Sequence, residues 1–112
     1  SRLHKIRSDE QWHFYKGHPL SIFELSPSGQ VIETILGNDI LNGQVVTHIV
    51  RGGVWFGAKP KESFDGQGNE SNFSLVGCTV TPGFHFEEFE MGNRDELLKL
   101  FPQSQELIVT LT

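Results

Sequence analysis

The stretch HKIRSDEQWHFYKG, residues 4–17, decides how this chain is read. Its aromatic-rich half, residues 10–16, predicts a β-strand, and Gly17-His18-Pro19 breaks it. The same rhythm continues outward. Residues 20–25 (LSIFEL) predict a second strand and Ser26-Pro27-Ser28-Gly29 a turn. Residues 30–36, with β-branched Val31, Ile32, Thr34 and Ile35, predict a third strand, and residues 44–50 (QVVTHIV) a fourth that ends at Gly52-Gly53. Residues 54–58 are short and aromatic, and residues 59–72 are polar and read as a loop. Residues 73–81 (FSLVGCTVT) predict a sixth strand buried on both faces, and Phe84, Phe86 and Phe89 a seventh. Seven short strands separated by turn residues mean a sandwich, a jelly roll or a barrel, and the pattern alone does not separate them.

The period changes near the C-terminus. Asn93 is placed to cap a short helix, with Glu96 three residues on and Leu97, Leu98, Leu100 and Phe101 along one side. Residues 103–112 are ambiguous: Ile108, Val109 and Thr110 favour a strand, whereas Leu107 and Leu111 are spaced as in a helix.

Composition bounds the function. The 112 residues are expected to form one domain, residues 1–112. The chain is 37% hydrophobic and 21% charged, which argues against disorder. Its net charge is -5, and its densest basic group, Arg2, Lys5 and Arg7, runs straight into Asp9 and Glu10. Nucleic acid is therefore not an expected partner. One cysteine, Cys78, forms no intrachain disulfide. No apolar run suits a membrane span, and residues 1–9 lack the apolar region of a signal peptide. A cytoplasmic location is the expectation.

The spacing inside residues 4–17 is the most specific local feature. His4 is followed six residues later by Glu10, and Glu10 seven later by Gly17. This resembles the first cupin motif, in which His-x-His, a spacer, Glu, six residues and Gly frame a metal site; Ile6 stands where the second His would fall. The second cupin motif, Pro-x-Gly-x-x-His, is met by Arg51-Gly52-Gly53-Val54-Trp55-Phe56, which keeps only Gly53. Four further pieces occur in order: residues 1–4, residues 9–13, Gly53 with Trp55, and residues 78–84 (CTVTPGF). Together they make the chain similar to one cupin-like family, often described as predicted sugar epimerases. The resemblance implies an all-β, cupin-type double-stranded β-helix (jelly roll) with short C-terminal helices, which tips residues 103–112 towards helix. It also implies N-terminal strands that this chain lacks, so an N-terminal truncation is expected.

The resemblance places His4 and Glu10 as the catalytic acid–base pair; Trp12, Phe14, Trp55 and Phe56 are expected to bind the ligand, as aromatic side chains that can stack on it or surround it. With Ile6 and Phe56 at ligand positions, neither a metal nor any other cofactor is expected, because zinc and iron sites need three or more protein donors. Each residue also has a plain reading. His4 and Glu10 would otherwise be surface groups, and the aromatics core filling. His48 reads as a satisfied structural histidine, His85 as outward-facing, and Cys78 as buried and unreactive. His13 and Tyr15, on the face opposite Glu10 and Trp12, suit a subunit contact, and a homodimer is expected. Two functions follow: an isomerase acting on a sugar or nucleotide-sugar, or a non-catalytic module binding a sugar-like metabolite.

Overall fold

The computed structural model describes residues 1–61 and 73–112, and among these glycines and turn residues separate eight strands and two helices. The strands are β1 His4–Ile6, β2 Asp9–Gly17, β3 Leu20–Leu25, β4 Val31–Leu36, β5 Thr47–Val50, β6 Trp55–Pro60, β7 Ser74–Thr81 and β8 Phe89–Met91. The helices are α1 Arg94–Leu100 and α2 Gln105–Leu111. Two sheets result, ordered β4-β3-β6-β1-β8 and β5-β2-β7, with every strand pair antiparallel. A parallel bridge between Leu36 and Val45 links them along one side. This is the all-β jelly roll with short C-terminal helices.

Strand alternation sends neighbouring residues to opposite faces, and two cores form as a consequence. Between the sheets, Ile6, Trp12, Leu20, Ile22, Leu36, Val50, Phe56 and Ala58 pack together, with Phe14, Val76, Val80 and Phe89 against them. On the outer face of the five-stranded sheet, Leu3, Leu25 and Trp55 pack under Leu97, Phe101, Ile108 and Leu111 of the C-terminal segment. The helices therefore cover one sheet from behind and leave the space between the sheets to the strands. Asn93 caps α1, its side-chain oxygen accepting from the Glu96 N–H at 3.1 Å.

The Gly52-Gly53 turn locks the start of β2. A Cβ on Gly52 would lie 2.0 Å from the Arg7 carbonyl oxygen, so only glycine fits. The Gly52 N–H donates to the Asp9 carboxylate at 2.8 Å, which fixes the residue next to Glu10.

Several elements differ from expectation. β1 was not readable, because three residues carry no periodicity. β7 is not buried on both faces: it is the outer strand of a three-stranded sheet, and Cys78 is exposed. Residues 84–89 do not form one strand. A 3-10 turn, Phe86–Glu88, precedes the short β8, and Phe84 and Phe86 are exposed. Residues 103–112 resolve as helix, where Ile108 and Leu111 meet the outer core. The expected loop at residues 59–72 lies largely outside the described residues. Among the described residues, no helix is long and apolar enough to cross a membrane.

Candidate functional site

Cross-strand register identifies what faces the space between the sheets. On the three-stranded sheet, Glu10 lies between Val50 and Val80, and Trp12 between His48 and Cys78. On the five-stranded sheet, Phe56 lies between His4 and Glu24. Phe56 and Trp12, both in the inner core, set the inward side of these rows. Six polar or titratable groups thus occur among apolar neighbours: His4, Glu10, Trp12, Glu24, His48 and Cys78.

Two of them have a polar atom buried without a hydrogen-bond partner, Glu10 Oε2 and Trp12 Nε1. Such atoms cost about 1–3 kcal/mol each when nothing pairs with them. Partial burial raises the Glu10 carboxyl above its ordinary range, because its charged form is poorly solvated. Trp12 is only 7% exposed, and its indole N–H is buried within the inner core.

His4 is clamped by aromatic rings, 4.3 Å from Phe56 and 5.4 Å from Phe89 between centroids. This burial lowers its tendency to take a proton, against an opposing effect of the Arg2 carbonyl. Its neutral ring donates from Nδ1 to that carbonyl at 2.7 Å, which leaves Nε2 as an acceptor. Cys78 is exposed at the open side of the sheet, yet partial burial of the thiol and the Glu10 charge push it up to about 11. It is a poor nucleophile for that reason.

Sequence-derived candidates are therefore partly assembled. Glu10, Trp12 and Phe14 share the inner side of β2, and Phe56 meets Trp12 from the other sheet. His4 adjoins Phe56 but stands on the sheet opposite Glu10. Trp55 does not join them. It faces the helices, in the outer core, with the Lys5 ammonium 5.0 Å from its ring. His13 lies on the outer side of β2, bonded to Thr79, and Tyr15 is exposed there.

The sequence reading did not find the pair Glu24 and His48. His48 Nε2–H donates to Glu24 Oε2 at 2.8 Å, tying the two sheets together from within. Alternation along LSIFEL put Glu24 on one face, but only the register showed that His48 faces it.

A metal does not fit these donors. Two of the cupin ligand positions carry Ile6 and Phe56, both in the inner core. Among the described residues, no three of His, Cys, Asp and Glu converge on one point. A concavity of about 510 Å³ lies on the outer face between β3, β4 and α2, with Phe23, Glu33, Lys59 and Leu107 on its walls. It contains none of the candidate residues.

Comparison with known proteins agrees with this architecture. A profile of the family described as "Cupin superfamily (DUF985)" matches residues 1–92. The chain belongs to this cupin family. A crystal structure of a Shewanella oneidensis protein is similar to the whole of this cupin chain, at 34% identity and a TM-score of 0.87. A hypothetical protein from Leishmania major is similar at 28% identity and a TM-score of 0.88, again over all of the chain. The cupin chain spans 66% and 68% of those two proteins. No curated protein matched it.

Proposed function

We propose that this cupin binds a small, hydroxyl-rich, sugar-like molecule between its sheets and isomerises it by metal-free acid–base chemistry. The carrying observation is two unpartnered buried atoms on one face of β2, Glu10 Oε2 and Trp12 Nε1. An acceptor and a donor on one strand face suit a ligand that offers both functions, as a hydroxyl does. Epimerisation next to a carbonyl needs one group to remove a proton and another to return it on the opposite face. Glu10 and His4 stand on opposite sheets, so a ligand between them presents one face to each. Burial pushes Glu10 towards the protonated acid and His4 towards the neutral base. Phe14 and Phe56 supply the apolar walls that keep these shifts in place.

Native mass spectrometry of purified protein tests the binding. A co-purified small molecule retained by wild type and by His85→Gln, but lost from Glu10→Gln, is the expected result. Retention by Glu10→Gln would move the site elsewhere. Isomerase and binding module then separate in deuterated water: the isomerase exchanges a carbon-bound hydrogen of its ligand, and a binding module does not.

A further inference from the structure

A strand at the edge of a sheet presents a row of unpaired N–H and C=O groups, which proteins shield with charge, proline or brevity. β4, β8, β5 and β7 are the edges here. β4 and β5 meet through the Leu36–Val45 bridge, β4 carries Glu33, and β8 is three residues long. β7 has none of these protections. It is eight residues long and pairs with β2 on one side. Residues 73–84 (FSLVGCTVTPGF) contain no charged residue, in a chain of net charge -5. Among the described residues, no strand lies on the other side of β7. Its pairing with β2 sets Val76, Cys78 and Val80 opposite Phe14, Trp12 and Glu10, on the inward side, yet Cys78 is exposed. The inward row is therefore open along this free edge.

We propose that β7 pairs, antiparallel and about a two-fold axis at Cys78, with β7 of a second copy of this chain, so that two three-stranded sheets become one of six strands. Inward residues face inward residues only when the axis passes through a residue, because side chains alternate with period two. With the axis at Cys78, Val76 faces the partner's Val80 and Cys78 faces the partner's Cys78, and the apolar row continues from one copy into the other. With the axis at Gly77, Val80 would face the partner's Ser74. The pairing also sets the start of each β7 against the end of the other. Phe73 and Leu75 at the start, and Phe84 and Phe86 past the end, are each more than half exposed. These two apolar groups meet across the axis and widen the contact beyond the strands themselves. An uncharged edge adds no like-charge repulsion to the association of two acidic chains. The contact lies on the edge of the sheet, not on its outer face with His13 and Tyr15, and the partner strand closes the side at which solvent reaches Cys78.

Light scattering at micromolar concentration should give twice the chain mass, and a monomer mass would overturn the proposal. Oxidation by copper–phenanthroline then locates the contact. Cys78 is the only cysteine, so every interchain disulfide joins Cys78 to the partner's Cys78. Facing Cβ atoms about 4.5–5.5 Å apart lie close to disulfide reach. Wild type should run as a covalent dimer on a non-reducing gel, and the double variant Cys78→Ser/Tyr15→Cys should not. A dimer that resists cross-linking through Cys78, or that cross-links through position 15 instead, would put the contact elsewhere. Thr79→Lys sets two ammonium groups on diagonal positions about 7–8 Å apart across the axis. It should give a monomer mass with an unchanged circular dichroism spectrum, and a folded Thr79→Lys that stays a dimer would also refute the pairing. If that variant does not fold, the mass and the cross-link of wild type decide.

Discussion

Trp12 and Phe56 meet edge to face across the two sheets, their centroids 6.4 Å apart and their planes at 87°. Phe56 in turn packs against His4 with the rings tilted, so one aromatic series joins the sheet that carries His4 to the sheet that carries Glu10. The contact is core packing, and the proposed function makes it a site wall as well.

Phe56 is 1% exposed, and Phe56→Ala leaves a cavity that rigid sheets fill poorly. The loss expected is about 3–5 kcal/mol in urea denaturation. The emission of Trp12 should change with it, which Trp55→Phe as background makes readable. A cost below about 1 kcal/mol would mean that the sheets do not pack through this residue.

Glu10 imposes a pH dependence of known sign. Its carboxyl is raised by burial, so the folded state holds that proton more tightly than the unfolded chain does. Below the ordinary glutamate value both states are protonated. As pH rises through the raised value, the folded state must keep a partly buried charge, and stability is lost. Gln does not ionise, so the stability of Glu10→Gln relative to wild type should increase from about pH 4 to about pH 7. Parallel urea titrations measure it; a difference that stays flat with pH refutes the burial of Glu10.

His4 behaves in the opposite sense. Its folded value is lowered, chiefly by burial, so the stability it contributes is present above the ordinary histidine value and is lost as pH falls through the lowered one. An NMR titration of the imidazole should give a midpoint below about 6.5. A midpoint above that figure would place the ring in water rather than between Phe56 and Phe89.

Cys78 should be slow despite its exposure. With its thiol pushed up to about 11, little thiolate exists near neutral pH. Alkylation by iodoacetamide at about pH 8 should run at least about tenfold slower than for free cysteine. Glu10→Gln should narrow the gap, since the Glu10 charge is part of the cause.

Asn93→Ala tests the helical cover. It removes the acceptor for the Glu96 N–H and should cost about 1 kcal/mol. Ligand binding between the sheets should be unaffected, because α1 packs on the outer face.

Local chemistry is what the sequence determined by itself. Strand alternation follows from backbone geometry, so Glu10, Trp12 and Phe14 had to share a face of β2 and His13 the other. The Asn93 cap needs only residues three apart, and it too was legible. Tertiary structure decided everything that depends on distance along the chain. Trp55 and Phe56 are neighbours in sequence and aromatic alike, yet packing sends one beneath the helices and the other between the sheets. Glu24 and His48 lie 24 residues apart, and nothing local tells either of the other. Their pairing is set by two strand registers and by the closure of one sheet over another. Those are long-range choices, made by the burial of the whole apolar set rather than by any residue alone.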